Sequence, residues 1–118
     1  MKALSLHQPW ASMIASGKKQ IETRGWFTHY RGDLLICSTK KPIIPNYPLG
    51  MALCVVEVVH CRPMERIDQA RACCPIYDGA YAWFLTNLRR IKPFPVKGSQ
   101  GFFKVDDRKI QNSIVNNK

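Results

Sequence analysis

A nearly uninterrupted apolar run in the middle of the chain most constrains the fold. Residues 51–60 read MALCVVEVVH, and Glu57 is the one carboxylate among them. Valine-rich segments favour β-strands, and a run without polar alternation is typical of a central strand covered on both faces. We therefore predict a central strand over residues 51–60, with further strands beside it.

Short strand-like segments separated by turn residues make up most of the remaining chain. We predict the other strands over residues 2–6, 20–26, 34–38, 81–86 and 101–105. Short helices are predicted over residues 9–16 and 64–71, and a third begins after Asp106 and frays toward Asn116 and Asn117. Five or six strands with two or three short helices, without regular strand–helix alternation, indicate an α+β fold or a small barrel.

Length and composition predict one globular domain. A chain of 118 residues buries a core but is too short for two domains, so residues 1–118 are assigned to one. The hydrophobic fraction of 46% and charged fraction of 22% are ordinary for a folded protein. Neither a membrane-spanning run nor a signal peptide is recognisable, which predicts a cytoplasmic protein with no membrane partner.

The strong positive charge points to a polyanionic partner. Lysine and arginine number 18 against eight aspartates and glutamates, giving a net charge of +10. Such an excess attracts polyanions, and its dispersal along the chain indicates a basic face rather than a disordered tail. Nucleic acid is the expected partner, and a basic protein that binds nothing is the alternative.

The cysteines do not form a metal-binding pattern. Five are present, without a Cys-x-x-Cys pair, and the adjacent Cys73 and Cys74 are too close for a usual zinc half-site. We expect reduced thiols, no metal and no cofactor.

The first predicted helix leads directly into a cluster of charged residues. Pro9 suits a first helical turn and Gly17 a helix end, after which Lys18 and Lys19 lie where positive charge is favourable. Trp10 falls on the apolar stripe of this helix, which predicts a place in the core.

The next segment is a predicted strand whose alternation assigns two faces. Glu22, Arg24 and Trp26 share one face, whereas Thr23 lies on the other with Ile21 and the presumed core. This arrangement places ionisable groups and one aromatic ring together directly after the first helix.

Residues 8–26, QPWASMIASGKKQIETRGW, resemble the opening motif of the ASCH domain, a family of small β-barrels related to the PUA-like RNA-binding folds. The resemblance continues through Tyr-Arg-Gly at 30–32, Glu57, and the segments at 81–85 and 95–101, and so spans nearly the whole chain. It implies a small PUA-like β-barrel with a cleft beside the first helix.

The resemblance also implies that this cleft binds RNA or a modified nucleotide. Its Gly-x-Lys-x-x-Glu-x-Arg pattern falls on Gly17, Lys19, Glu22 and Arg24. Trp26 is the candidate for base stacking, and the loop before the last strand also reaches the ligand. The predicted ligand-binding residues are Lys18, Lys19, Glu22, Arg24, Trp26, Lys97 and Gln100.

A small hydrolase is the second hypothesis. Some members resemble N4-acetylcytidine amidohydrolases, which use a lysine, a threonine three residues later and a downstream glutamate. In this chain Glu22 stands at the threonine position, so the predicted catalytic residues are Glu22 as general base and Lys19 as oxyanion stabiliser. The substrate would be an acylated nucleoside, or RNA for a ribonuclease. The downstream carboxylate stays open among Glu57, Glu65 and Asp68.

A protein-interaction module is the third hypothesis, suggested by the coactivator members of the same family. Such a module would carry a large exposed apolar patch.

Overall fold

The computed structural model describes residues 1–114. Its elements in chain order are β1 (Lys2–Leu6), α1 (Trp10–Ala15), β2 (Ile21–Arg24), β3 (Gly32–Ser38), β4 (Met51–Pro63), a 3₁₀ turn (Arg66–Asp68), α2 (Gln69–Ala72), β5 (Tyr81–Pro95), β6 (Phe102–Lys104) and α3 (Asp107–Gln111). Asp106 caps α3 by accepting a hydrogen bond from the backbone N–H of Arg108, as predicted. The predicted fraying toward Asn116 and Asn117 lies outside the described residues.

All six strands belong to one sheet in the order β2-β5-β4-β3-β1-β6. The β1–β3 pair is parallel and the other four neighbouring pairs are antiparallel. The register between β4 and β5 shifts at three places, and such irregularities bend long strands. The sheet curls into a half-barrel, which confirms the predicted α+β, PUA-like architecture.

The valine-rich strand is central, as predicted, with β3 on one side and β5 on the other. Along β3, Leu34 and Ile36 belong to an apolar cluster that includes residues of α1. Leu35 and Cys37 belong to a second cluster that includes Ile110 of α3. Both faces of the central strands are therefore buried, which explains why their sequences show no polar alternation.

Strand β5 is much longer than predicted. It was expected over residues 81–86 but continues to Pro95, because its second half pairs with the beginning of β4. Pairing with β2 ends at Phe84, so no strand flanks the later part of β5 on that side, where Ile91 forms a single bridge with Ile114. Prolines are tolerated at such an edge, and Pro93 and Pro95 therefore do not end the strand.

The second predicted helix, over residues 64–71, is instead a 3₁₀ turn followed by the four-residue α2. Asp68 accounts for the shorter helix. Its carboxylate accepts hydrogen bonds from the backbone N–H of Glu65 and from both terminal nitrogens of Arg62, which fixes a tight turn.

The five cysteines are free thiols in the structure. Burial raises the pKa of both the Cys37 and Cys54 thiols to about 12, so they remain protonated and act as small apolar core residues. Among residues 1–114, no group of three or more His, Cys, Asp or Glu side chains is placed to hold a metal ion.

None of the helices in the described part of the chain combines the length and apolar character needed to cross a membrane.

Candidate functional site

Two adjoining cavities lie next to the start of α1. The inner cavity, of about 330 Å³, is lined by Leu6, His7, Trp10, Lys19, Glu22, Thr23, Arg24, Cys74, Pro75 and Tyr77. The outer cavity, of about 660 Å³, is lined by Ser5, His7, Arg24, Trp26, Ser38, Thr39, Lys40, Gly50 and residues 96–101. His7 and Arg24 line both cavities, so the two are adjacent, and together they are called the cleft.

Lys19 and Glu22 form a buried ion pair at the inner cavity. Lys19 is 2% exposed and Glu22 6% exposed, and Lys19 Nζ lies 3.7 Å from Glu22 Oε1. The chain reverses at Gly17 with a φ of +84°, which glycine adopts without strain, and the Lys19 N–H then donates to the Met13 carbonyl. This turn directs Lys19 inward, where its ammonium also donates to the Ala72 carbonyl.

Arg24 connects the buried pair to the outer cavity. Its Nε lies 3.3 Å from Glu22 Oε2, and its Nη2 donates a hydrogen bond to the Ser5 carbonyl at 3.0 Å. The Nε atom is itself buried and makes no hydrogen bond with residues 1–114. Because 27% of the side chain is exposed, the guanidinium remains within reach of a ligand.

Burial raises the pKa of the Glu22 carboxyl. Loss of hydration is the largest cause, and the charges of Arg24 and Lys19 act in the opposite direction without cancelling it. The inner cavity therefore contains a carboxyl group that holds its proton more tightly than an exposed glutamate does.

This shift predicts a pH dependence of stability. A carboxyl whose pKa is raised on folding binds more protons in the folded state, so its contribution to the free energy of unfolding falls as pH rises above the ordinary glutamate pKa. Urea unfolding of the wild type and Glu22→Gln should show this as a difference, wild type minus variant, that decreases with rising pH. A difference that increases with pH would mean that the pKa of Glu22 is lowered.

Two tryptophans line the cleft. Trp26 is 39% exposed at the outer cavity and packs edge-on against the buried Trp83, with ring centroids 4.7 Å apart. Trp10 is 38% exposed at the inner cavity, so its predicted place in the core is wrong. The six-residue α1 buries its Ala11 and Ile14, and Trp10 at its first position falls outside that buried face.

Of the other three predicted ligand-binding residues, two line the cleft and one does not. Lys97 and Gln100 line the outer cavity, on the loop between β5 and β6. Lys18 is exposed and lines neither cavity, while its carbonyl accepts a hydrogen bond from the Cys73 thiol. The geometry therefore brings together every predicted site residue except Lys18.

Thr23 also lies at the inner cavity, contrary to the prediction from strand alternation. Its Oγ1 is 3.6 Å from the Sγ of Cys74, and the loop that carries Cys74 forms one wall of the cavity. A residue on the Ile21 face can therefore still border the cavity.

None of the three downstream carboxylates considered lines either cavity. Asp68 is bound by Arg62, which also lies 3.4 Å from Glu65, and Glu57 accepts a hydrogen bond from Asn87. Glu22 is thus the one carboxylate among the described residues that line the cleft.

The cleft residues absent from the predicted set include His7, Trp10, Cys74 and Tyr77 at the inner cavity and Lys40 at the outer one. The Nδ1 of His7 is 3.0 Å from the Oγ1 of Thr39, which fixes the ring at the junction of the cavities. The position of His7 just before α1 was a usable signal. For Cys74 and Tyr77 there was none, because their loop is distant from β2 in sequence.

The curled sheet with a charged cleft beside its first helix defines a small α+β domain of the PUA-like type. The family model described as "ASCH domain" matches residues 4–95, and the chain belongs to this family. This confirms the resemblance found in the sequence.

Two similar curated proteins are both called Activating signal cointegrator 1. The human protein is 30% identical and the mouse protein 28% identical, each over 129 aligned positions and 89% of this chain. The chain spans 22% of the length of each of these relatives.

Among solved structures, the ASCH protein of Zymomonas mobilis has a similar fold. It gives a TM-score of 0.67 at 15% identity, over 93% of this chain and 90% of the other. Two single-residue variants of that protein give TM-scores of 0.66 and 0.68, with 94% and 95% of each chain covered. At a sequence identity this low, the similarity shows a shared fold and nothing more.

Proposed function

We propose that this ASCH domain binds RNA, or a modified nucleotide, in the cleft formed by the inner and outer cavities. The observation that carries the proposal is the buried Lys19–Glu22 pair with the partly exposed Arg24 beside it, a group that lines both cavities. Burying an ion pair is costly for a small domain and is seldom favourable for stability alone. The position of this charged group beside the two cavities therefore supports a role in ligand binding.

The walls of the cleft match the chemistry of a single-stranded nucleic acid. Trp10 and Tyr77 at the inner cavity and Trp26 at the outer one offer partly exposed aromatic rings, on which bases stack. Lys40 and Lys97 add positive charge for the phosphates. RNA-binding domains commonly take unstacked bases of single strands in this way.

The proposal predicts salt-dependent RNA binding that is sensitive to the cleft lysines. Fluorescence anisotropy with a labelled single-stranded RNA should give an affinity that falls steeply with potassium chloride, because bound phosphates release counterions. Lys97→Ala should weaken binding and reduce the slope of log K against log salt by about one.

The matched control is Lys109→Ala, which removes one positive charge from an exposed residue of α3 that lines neither cavity. It should leave the salt slope closer to that of the wild type. No RNA binding at low salt, or equal effects of the two substitutions, would count against a cleft-centred site.

A hydrolase is the second candidate function, favoured by the raised pKa of Glu22 beside an ammonium group. A carboxyl with such a pKa suits general acid–base catalysis, and Lys19 and Arg24 would stabilise a developing oxyanion. Thr23 and Cys74 add a hydroxyl and a thiol at the same cavity.

Chromatography of N4-acetylcytidine and of a short RNA after incubation with the protein tests this candidate. Release of cytidine, or cleavage of the RNA, that Glu22→Gln abolishes in a folded variant would support the hydrolase. Intact substrates would leave the cleft as a binding site.

We also propose that residues 1–118 form one domain, that the protein acts in the cytoplasm, and that it binds a protein partner in addition to RNA. The relatives' name, which describes a signal cointegrator, supports the last of these.

A further inference from the structure

The two cavities differ in the charges that line them. The ionisable side chains of the outer cavity are His7, Arg24, Lys40 and Lys97, so none of its lining residues is acidic. The inner cavity shares His7 and Arg24 and adds the buried Lys19–Glu22 pair, whose opposite charges offset each other. Its walls include the apolar side chains of Leu6 and Trp10. A phosphate group is therefore attracted to the outer cavity, whereas the inner cavity suits a flat, partly apolar group with polar edges.

The loop at the outer cavity also offers unpaired backbone groups. Within residues 1–114, no backbone hydrogen bond outside the regular elements involves residues 97–100. The loop is attached at its start, where the Val96 N–H donates to the Gly50 carbonyl. Backbone N–H groups that no protein carbonyl engages can donate to a bound anion, and Lys97 adds a positive charge on the same loop.

Gly98 shows how closely this loop approaches β1. A Cβ atom added at Gly98 would lie 2.8 Å from the Oγ of Ser5, which also lines the outer cavity. The loop backbone therefore passes directly over the Ser5 hydroxyl. Lys40 is placed from the other side, where its side chain packs over Gly50.

We propose that the outer cavity is a phosphate subsite and that the inner cavity receives the base of the same nucleotide. Arg24 and His7 line both cavities and lie where the sugar would connect the two groups. This inference rests on the proposed function and assigns one part of the nucleotide to each cavity. Lys40, Lys97 and the backbone of residues 97–100 hold the phosphate, and Trp10 contacts the base. The ligand is thus a nucleotide rather than a nucleoside.

The experiment compares cytidine with its 5′- and 3′-monophosphates by isothermal titration calorimetry, using the full chain. At least one monophosphate should bind the wild type about tenfold more tightly than cytidine, as expected for a charge-assisted contact. The double variant Lys40→Ala/Lys97→Ala should reduce this ratio toward one. Trp10→Ala should weaken nucleoside and monophosphate by the same factor, and Lys109→Ala should change neither.

A ratio that the double lysine variant leaves unchanged would overturn the phosphate subsite. The phosphate subsite would also be overturned if the wild type bound single-stranded RNA but showed no preference for monophosphates over cytidine. In that case the proposed function would survive. Failure of the folded wild type to bind RNA, cytidine or either monophosphate would overturn the proposed function as well.

Discussion

Lys19→Met is expected to lower the free energy of unfolding by about 3–5 kcal/mol, the range for removing one partner of a buried ion pair. Lys19 is 2% exposed, and its ammonium interacts with both the Glu22 carboxylate and the Ala72 carbonyl. Methionine fills much of the same volume but provides no charge and no donor. The variant therefore leaves the Ala72 carbonyl without this donor and the buried Glu22 carboxylate with Arg24 alone, a loss that urea unfolding would measure.

Two further variants test whether the loss of stability comes from the buried Lys19–Glu22 pair. Lys18→Met removes the neighbouring lysine, which is exposed, and should change the free energy of unfolding by less than about 0.5 kcal/mol. Combining Lys19→Met with Glu22→Gln should recover part of the loss, since the buried carboxylate that has lost its ammonium partner is then absent. Equal effects of Lys18→Met and Lys19→Met would contradict the buried pair.

Trp83→Ala is expected to lower the free energy of unfolding by about 3–5 kcal/mol, as large-to-small core substitutions of aromatic residues do. Trp83 is fully buried on β5 and belongs to the apolar cluster that includes residues of α1. Its ring also packs against Trp26, and its indole N–H donates to the Trp26 carbonyl at 3.3 Å. The substitution should therefore both open a cavity and release a wall of the binding cleft.

Trp83→Phe separates these two effects. It keeps an aromatic ring in the core, so most of the stability should remain, but it removes the hydrogen bond to the Trp26 carbonyl. The NMR signal of the Trp26 indole N–H should then shift even though the protein stays folded. Trp26→Ala, at a position 39% exposed, should cost clearly less stability than Trp83→Ala. A larger loss of stability for Trp26→Ala than for Trp83→Ala would mean that Trp83 is not a central core residue.

The fold was predictable where one local pattern determined it. The apolar run around Val55 and Val56 indicated a central strand, because only a strand covered on both faces tolerates such a sequence. The full length of β5 was not predictable. Its continuation past Asn87, where φ is +53°, depends on pairing with β4 through register shifts that no local pattern encodes.

The charged centre of the site could be predicted because its members are close in sequence. Lys19, Glu22 and Arg24 lie on one turn and one short strand, so motif and alternation together place them side by side. The burial of Lys19 could not be predicted, because its carbonyl partner Ala72 is 53 residues away. The inner cavity's Tyr77 is equally remote, and only the tertiary fold brings it to the site.

The most direct test of a cleft-centred binding site is an NMR titration of the ¹⁵N-labelled protein with a short single-stranded RNA. The three tryptophans give separate indole N–H signals. We expect saturable shifts of the Trp10 and Trp26 indoles and of the backbone amides of residues 97–100, with little change in α3. Binding that leaves these signals unmoved and instead shifts the amides around Arg66, which lies outside both cavities, would contradict the account.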